Sequence, residues 1–491
     1  MELNRAKRIH LLHTNDLHSH FEAMPRVHRV LHELQQRLED SGETVIPVDL
    51  GDHMDRFSVE TEGTQGLANR AVMEAAGYQL ITLGNNELLT FSKEELHRLY
   101  IDAPFEVLAT NVADADGGRP SWIQTESIRE VQGFRIGFLG VTIPFQNFYR
   151  LLGWHVSDPF EELTLAVPRL RKKADAVVIL SHLGLGNDRR LAEEIPGIDV
   201  IMGSHTHHLL EVPERVGGTL IAAAGKFGGH VGHVVLEPKE KADGLERVEA
   251  GCVAAAGAAP DRGLVEKIRS FRDQAEHTLS QPLFTLDQSL PISWYEESPL
   301  GNFLADGLLD WVPDAECAMV NAGQLLEGLK AGPVTRGKLH RICPHPINPA
   351  QMVLTGEQIR GILEETLIRE NQDQEIRGFG FRGKKLGVLN LAGMTVEYRP
   401  EAPPGKRLIQ VRIDGGRLVP EKEYQVATID MFTFGVGYRE FRRGDHQKYF
   451  LPEFLRDVLA HHLQQPGAVE RCHQVRWHRR SEKQPPGMSC S

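Results

Sequence analysis

Short β-branched runs alternate with amphipathic stretches through the first 240 residues, and this alternation is the strongest constraint on the fold. The runs have the length of single strands, and several are separated by stretches of helical periodicity. Strands are predicted at Ile9–His13, Thr44–Leu50, Gln79–Leu83, Glu106–Thr110, Phe134–Val141, Asp175–Ser181, Asp199–Gly203, Leu220–Ala224 and Gly232–Leu236. Helices are predicted at Arg26–Glu39, Gly66–Ala76, Lys93–Tyr100 and Pro159–Lys173. This order predicts a layered α/β fold, in which helices cover a sheet.

Chain length and a change of composition near residue 250 predict more than one domain. The chain has 491 residues, more than one hydrophobic core usually organises. Residues 250–262 are rich in Ala, Gly and Pro, and a helical stretch follows at Val265–Leu279. We predict a first domain over 1–245, a linker and connecting helix over 246–280, an α+β domain over 281–465 and a disordered tail over 466–491.

Charge and cysteine content restrict the partners and the compartment. The chain carries 55 Lys+Arg and 67 Asp+Glu, a net charge of −12, so neither nucleic acid nor an anionic membrane is an expected partner. The five cysteines are scattered and lack CxxC spacing, and the sequence contains no apolar stretch of about 18 residues. We therefore expect a cytoplasmic protein. Its oligomeric state is left open.

Histidine is abundant and unevenly distributed, with 15 of the 23 histidines at or before His233. This distribution indicates metal or acid–base chemistry in the first domain. Polar clusters follow five of the predicted strands, where an α/β sheet gathers a ligand site from separate loops. The clusters are Thr14–His18, Leu50–Asp52, Leu83–Glu87, Ser181–Gly184 and Gly203–His207.

These clusters supply mixed oxygen and nitrogen ligands. Residues two apart in an extended chain point to the same side, so each pair in DxH and HxH can reach one cation. Such a donor set suits Zn, Mn, Fe or Co better than Ca or Mg. Seven ligands are about right for two divalent ions that share a carboxylate, the usual device for hydrolysing phosphate esters. The predicted metal ligands are Asp16, His18, Asp52, Asn85, His182, His205 and His207.

Each candidate ligand also has a structural interpretation. Asp16 and Asp52 could cap helices, Asn85 could be a turn residue, and His182 could be a hydrogen-bonded core imidazole. The metal interpretation depends on finding a suitable residue type at the ends of five different strands, which is improbable as a coincidence.

The order DxH, GD, GNxE, SHxG and GSHTH resembles that of the calcineurin-like metallophosphoesterases. Further motifs at Gly301–Asp306, Asn321–Gly323, Pro344–Pro349 and Leu354–Gln358 resemble the second domain of the 5'-nucleotidase family. That family includes UDP-sugar hydrolases and 2',3'-cyclic-nucleotide phosphodiesterases. The resemblance covers roughly residues 8–440. It implies a four-layer α/β/β/α domain followed by an α+β substrate domain that rotates to present the substrate.

The resemblance also implies how the ligands divide between two metal ions. One ion would be held by Asp16, His18, Asp52 and His207. The other would be held by Asp52, Asn85, His182 and His205, so that Asp52 bridges the pair.

The sequence departs from the family motif beside the metal ligands. The family's GNHE histidine, which stabilises the transition state, is Asn86 here, and the Asp that orients it is Leu89. Asn can donate a hydrogen bond but supplies neither positive charge nor a proton, and losing such a group typically costs ~10²–10³ in rate. Candidate substitutes are Arg56, which could bind phosphate, and His53 or His20. A structural Arg and a surface His are the competing interpretations.

Substrate recognition departs from the family as well. The segment at Asn321 reads NAGQLL and lacks the family's substrate-binding Arg, although Asn321 itself is kept as a candidate contact. The late aromatic segment offers Phe432 and Phe434 for stacking on a base, and at least one of them is expected in the core.

The expected function is metal-dependent hydrolysis of nucleotide phosphate esters, with nucleoside 5'-monophosphates as the leading substrates. Three alternatives on the same site are cyclic-nucleotide phosphodiesterase, nucleotide-sugar hydrolase and phosphatase of another small molecule. A fourth is a metal- and nucleotide-binding protein whose catalysis is impaired by the changes at positions 86 and 89.

Overall fold

The computed structural model describes residues 8–240, 243–378 and 380–480. The chain divides into two units, Met1–Thr278 and Leu279–Ser491. Among the described residues, no helix combines the length and the low charge needed to cross a bilayer.

The first unit contains the alternating strands and helices that the sequence predicts. Its described strands are β1 (Ile9–Thr14), β2 (Thr44–Asp49), β3 (Leu80–Thr82), β4 (Glu106–Leu108), β5 (Val112–Asp114), β6 (Ile123–Gln124), β7 (Ser127–Val131), β8 (Phe134–Thr142), β9 (Trp154–Val156), β10 (Ala176–His182), β11 (Val200–Gly203), β12 (Glu214–Val216), β13 (Thr219–Ala222), β14 (His230–Pro238) and β15 (Leu245–Ala254). Its described helices are α1 (Met24–Asp40), α2 (Val59–Thr64), α3 (Leu67–Ala75), α4 (Asn85–Thr90), α5 (Lys93–Tyr100), α6 (Gln146–Tyr149), α7 (Pro159–Arg171), α8 (Leu185–Glu194) and α9 (Arg262–Leu279), with a 3-10 turn at Arg150–Leu152.

The main strands form two sheets, in the orders β15–β14–β1–β2–β3–β4–β6 and β12–β13–β11–β10–β8–β7. Alternate residues of β1 face opposite layers, as strand geometry requires. Ile9 and Leu11 pack with Phe138 of the second sheet, whereas Leu12 packs with Leu31 of α1. The outer face of β10 packs on α7 and α8. The predicted four-layer α/β/β/α arrangement is therefore confirmed.

Parallel pairing brings the polar clusters to common sheet edges. Strands β1, β2, β3 and β4 pair in parallel, and so do β8, β10, β11 and β13. The carboxyl ends of neighbouring strands therefore lie side by side, and the loops that follow them can contribute to one site.

The second unit has the predicted α+β character. Its described strands are β16 (Pro282–Leu286), β17 (Cys317–Asn321), β18 (Gly332–Thr335), β19 (Pro349–Thr355), β20 (Leu389–Ala392), β21 (Met394–Tyr398), β22 (Leu408–Ile413), β23 (Gly416–Arg417), β24 (Glu423–Ile429), β25 (Asp445–Tyr449) and β26 (Trp477–Arg479). Its described helices are α10 (Pro299–Trp311), α11 (Arg336–Ile342), α12 (Gly356–Thr366), α13 (Arg369–Gln372), α14 (Asp430–Thr433), α15 (Leu455–His462) and α16 (Ala468–Arg471), with 3-10 turns at Ala322–Gln324 and Arg439–Arg443. The two larger sheets run β20–β17–β24–β19–β25 and β23–β22–β21–β26.

The predicted linker from residue 246 is wrong over residues 246–254. These residues continue β15, which pairs antiparallel with β14 at the edge of the first sheet. The composition did not reveal that Leu245, Val248 and Ala250 pack against the core between the sheets. The connecting helix predicted near Val265–Leu279 is confirmed as α9.

The predicted disordered tail is wrong over residues 466–480. This segment forms α16 and β26, and β26 adds a parallel strand beside β21. The indole nitrogen of buried Trp477 donates to the carbonyl of Leu389 at 3.1 Å. The guanidinium of Arg476 binds both oxygens of Asp306 at 2.7 and 2.8 Å. The basic composition suggested solvent exposure, but at least one of these basic residues, Arg476, forms a buried ion pair inside the second unit. The rest of the predicted tail, 481–491, lies outside the described residues.

We expect Arg476→Ala to destabilise the second unit, because it leaves the buried carboxylate of Asp306 without its partner. Removing one member of a buried pair typically costs about 3–5 kcal/mol. Urea unfolding followed by tryptophan fluorescence measures the loss. The control is Arg479→Ala in β26, three residues later, where the partner Glu401 is exposed and the loss is expected to cost about 0–1 kcal/mol. Equal effects of the two substitutions would contradict the structural role of the segment.

Candidate metal centre

The clusters that follow the strands of the first unit meet at one place. Asp16 and His18 follow β1, Asp52 follows β2, His182 ends β10, and His205 and His207 follow β11. Six of the seven predicted ligands form two groups, and within each group the ligand atoms lie within 4.8 Å of one another. The first group is Asp16, His18 and His207, and the second is Asp52, His182 and His205.

The first group is built around two imidazoles that face each other. The Nε2 atoms of His18 and His207 lie 3.2 Å apart. Oδ1 of Asp16 lies 4.0 Å from His18 Nε2 and 3.6 Å from His207 Nε2. Three ligand atoms therefore converge on one small volume, with the carboxylate buried beneath the two rings.

Asp52 connects the second group to the first. Its Oδ1 lies 3.4 Å from Nε2 of His182, and its Oδ2 lies 3.6 Å from Nε2 of His18. One carboxylate oxygen thus faces each group, which is the arrangement of a bridging ligand. Asn85 is the first residue of α4, and the backbone N–H of the next residue, Asn86, donates to Asp52 Oδ1 at 2.8 Å.

Five of the ligand residues, all in loops that follow strands, have the left-handed backbone conformation. The φ angles are +51° at Asp16, +45° at His18, +49° at Asp52, +73° at His205 and +61° at His207. Such conformations in residues other than Gly typically cost about 1–3 kcal/mol each and concentrate at functional sites. This repeated strain indicates that the backbone is shaped for the position of the side chains.

Glu87 stabilises the turn that carries the bridging carboxylate. Its two oxygens accept backbone N–H bonds from Asp52, Met54 and Gly84 at 2.8 to 3.0 Å. Gly84 is required there, because a Cβ atom on it would lie 2.1 Å from Oδ1 of Asp52. The glutamate of the GNNE motif is therefore a structural clamp on Asp52.

The ring of His182 is oriented so that Nε2, the atom that could bind a cation, faces Asp52. Its Nδ1 lies 2.8 Å from the carbonyl of Leu50, to which it donates. Its other nitrogen, Nε2, is buried without a hydrogen-bond partner among the described residues, and so is Oδ1 of Asn85. Orphaned buried atoms of this kind are unfavourable unless something binds them.

The electrostatics of the centre also fit divalent cations. Burial lowers the pKa of His205 and of His207 to about 4, so both rings are neutral at pH 7, as ligation requires. Burial opposes the charged form of Asp52, but the positive charge of the neighbouring His182 outweighs it and holds the pKa of Asp52 well below its usual range. The residues present therefore fit two divalent cations that share Asp52.

The predicted catalytic residues lie in different environments. Asn86 is part of the centre, with Nδ2 3.0 Å from Nδ1 of His18. Arg56 binds Glu62 at 2.8 Å and the carbonyl of Thr90 at 3.0 Å, contacts that favour its structural interpretation.

The two candidate substitute histidines differ in access. His53 is fully buried, burial lowers its pKa to about 3, and neither ring nitrogen has a hydrogen-bond partner within the described chain. Its burial argues against contact with a substrate. His20 stacks on Phe227, with ring centroids 3.9 Å apart, and is only half-buried.

The predicted substrate contacts in the second unit do not share one environment either. Asn321 is fully buried and its amide donates to the carbonyl of Leu386 at 2.7 Å. Phe432 is fully buried and stacks on Phe441, with centroids 4.5 Å apart. Both side chains are buried in this structure, which does not favour direct contact with a substrate, and their role in substrate binding stays a prediction. Phe434 is 43% exposed and stays a predicted contact.

A glycine-rich loop that contains Lys226 and Phe227 lies against the metal ligands. Phe227 packs beside His18 and His207, with centroids 5.7 and 6.0 Å away, and the exposed Lys226 sits over the Phe227 ring at 4.5 Å. Phe227 has a φ of +58°, and its backbone N–H donates to the carbonyl of Asp16. Gly225 and Gly228 flank Lys226 and Phe227, and these glycines were the sequence signal that could have identified the loop.

Comparison with known proteins agrees with the fold and the site. Residues 9–209 match the family described as Calcineurin-like phosphoesterase, and residues 278–442 match the family described as 5'-nucleotidase, C-terminal domain. The chain is 38% identical over 465 residues to "Uncharacterized metallophosphoesterase YunD" of Bacillus subtilis (strain 168), covering 94% of this chain and 100% of YunD. The chain therefore belongs to the calcineurin-like metallophosphoesterases with a 5'-nucleotidase C-terminal domain, which are hydrolases of phosphoric ester bonds.

Two more distant similarities extend over most of the chain. It is 24% identical over 493 residues to the "Trifunctional nucleotide phosphoesterase protein YfkN" of Bacillus subtilis (strain 168), covering 89% of this chain but only 32% of YfkN. The solved structure of the Haemophilus influenzae NAD nucleotidase (NadN) aligns with a TM-score of 0.69 at 16% identity, covering 97% of this chain and 100% of that one. The structural similarity supports the fold.

We expect Asp52→Asn to reduce metal retention, because one carboxylate faces both groups. Asn keeps the size of the side chain and tolerates a positive φ, so the fold should persist. After dialysis against Mn²⁺ and then metal-free buffer, elemental analysis should find two ions in the unsubstituted protein and about one or fewer in the variant.

Asp175→Ala serves as the control for this measurement. Asp175 lies just before β10, at the opposite end of that strand from His182, and pairs with Arg135. The Asp175→Ala variant should retain both ions. Retention of both ions by Asp52→Asn would contradict the bridging assignment.

Proposed function

We propose that this protein hydrolyses nucleotide phosphate esters, with nucleoside 5'-monophosphates as the leading substrates and two divalent ions, Zn, Mn, Co or Fe, as cofactors. The observation that carries the proposal is the pair of His/Asp groups that share Asp52. The names of the relatives support the nucleotide as substrate, since YfkN is called a nucleotide phosphoesterase and NadN an NAD nucleotidase. A cytoplasmic location and a role in nucleotide catabolism stay predictions.

Bound divalent ions at such a centre would polarise the phosphoryl group and make water more acidic. The protein's part is to hold the ligand atoms before the substrate arrives. The carbonyl of Leu50 fixes His182, Glu87 fixes the backbone of Asp52, and buried Asp16 accepts the backbone N–H of His205 at 3.1 Å. Hydrolysis then joins a water oxygen to phosphorus in line with the departing oxygen, in a site whose charges need little rearrangement.

The residue at position 86 bears on the choice of leaving group. Asn86 can donate a hydrogen bond, but it can neither give a proton to a departing alkoxide nor contribute positive charge. A leaving group that is stable without a proton depends less on this contribution. The replacement of the imidazole therefore favours a second candidate function, hydrolysis of the phosphoanhydride bond of nucleotide-sugars.

A substrate panel separates these functions. We expect phosphate release from AMP in the presence of Mn²⁺ or Co²⁺, and a fall of ~10²–10³ in rate for Asp52→Asn. The Asp175→Ala variant should retain the activity of the unsubstituted protein. UDP-glucose, 2',3'-cyclic AMP and glucose 6-phosphate complete the panel.

Each outcome of the panel points to one function. Faster cleavage of UDP-glucose than of AMP would favour the phosphoanhydride function, and cleavage of glucose 6-phosphate alone would contradict a nucleotide substrate. Tight binding of AMP without hydrolysis of any ester, with both metal ions present, would contradict the enzyme assignment. That result would instead support an impaired metal- and nucleotide-binding protein.

A further inference from the structure

His18 needs a hydrogen-bond acceptor on the side of its ring that faces away from the other ligands. Its Nε2 faces Asp52 and His207, so Nε2 is the atom placed to bind a cation. A neutral imidazole that ligates through Nε2 carries its proton on Nδ1. Ligating histidines usually donate this proton to a carboxylate or a carbonyl, which fixes the ring and its tautomer.

Asp55 is the carboxylate on that side of the ring. Its Oδ2 lies 3.4 Å from Nδ1 of His18, and both side chains are largely buried, with 4% of Asp55 exposed. Its other oxygen, Oδ1, accepts the backbone N–H of Phe57 at 2.9 Å. The backbone N–H of Asp55 donates to the hydroxyl of Ser19 at 2.7 Å. Asp55 is therefore itself held in place from two sides.

Asn86 also lies beside Nδ1 of His18, at 3.0 Å, but it offers a donor there. Its Oδ1 accepts from the amide of Asn85 at 3.3 Å, and its Nδ2 donates to the carbonyl of Met54 at 3.3 Å. These contacts turn the NH₂ group toward His18. A ring that accepts from Asn86 carries its own proton on Nε2 and cannot ligate a cation. A ring that donates to Asp55 leaves Nε2 free.

We propose that Asp55 is a positioning residue that holds His18 in the tautomer whose Nε2 binds a cation, against the competing hydrogen bond from Asn86. The proposal rests on the metal-dependent function proposed above. It also gives Asp55 a role, whereas the sequence pointed only to its neighbours His53 and Arg56. The imidazole–carboxylate pair that the family places at positions 86 and 89 is absent here. In this chain the corresponding pairing is between Asp55 and the metal ligand His18.

Titration of Mn²⁺ into the metal-free full-length protein by calorimetry tests the proposal. The unsubstituted protein should bind two equivalents. Asp55→Ala should weaken one of them by about 10–100-fold, the usual effect of removing the partner of a ligating histidine. The equivalent held by the second group should keep its affinity. Asp55→Asn, which retains an acceptor oxygen without the charge, should give a smaller loss, and Asp175→Ala should match the unsubstituted protein.

A double-mutant comparison separates positioning from general stability. In a His18→Ala background, Asp55→Ala should cause no further loss of affinity, because its effect passes through that ring. Additive losses would overturn the proposal, as would unchanged affinity for both equivalents in Asp55→Ala alone. Loss of both equivalents together with a lower unfolding temperature of the metal-free variant would also overturn it, since Asp55 would then be a structural residue.

The proposed function and the role of Asp55 fail in different experiments. If the unsubstituted protein binds two equivalents but hydrolyses no ester, the proposed function fails and the affinity comparison still decides the role of Asp55. If hydrolysis proceeds and Asp55→Ala binds both equivalents normally, only the role of Asp55 fails.

Discussion

The buried carboxylate of Asp52 places the strictest demand on the first unit. A carboxylate removed from water requires compensating positive charge or hydrogen bonds, and Asp52 faces the imidazoles of His18 and His182 at 3.6 and 3.4 Å. These rings come from different sheets, so the two sheets must pack with the carboxyl ends of β1, β2 and β10 close together. Without cations, the imidazoles themselves must supply the charge, and a cation between them would replace their protons.

The cost of this arrangement appears in the backbone. The five ligand residues with positive φ are tolerated because hydrogen bonds from neighbouring loops hold them, for example from Asp16 to the carbonyl of Gly51 and from His18 to the carbonyl of Asp52. The outer helices and the core between the sheets supply the stability that offsets the strain. The centre is therefore preorganised, and substitutions such as those at positions 86 and 89 can change its chemistry without changing the fold.

The sequence predicted the strands of the first unit well, because strands depend on local patterns, and the same patterns singled out the side chains that gather in the two groups. Apolar runs identified β1, β2 and β10, and polar clusters after them identified Asp16, Asp52 and His182. The sequence did not predict features that depend on packing between distant segments of the chain. Trp477 lies in a basic, Pro-rich stretch yet completes a sheet, and Phe432 is as aromatic as Phe434 but is buried. The role proposed for Asp55 depends on a 3.4 Å approach to a ring 37 positions earlier, which no spacing rule reveals.

Anomalous diffraction from crystals grown with Mn²⁺ tests the central claim most directly. The account predicts two peaks about 3.5–4 Å apart, one bounded by Asp16, His18 and His207 and the other by His182 and His205, with Asp52 contacting both. A single peak, or peaks away from these side chains in crystals whose protein binds Mn²⁺ in solution, would contradict it.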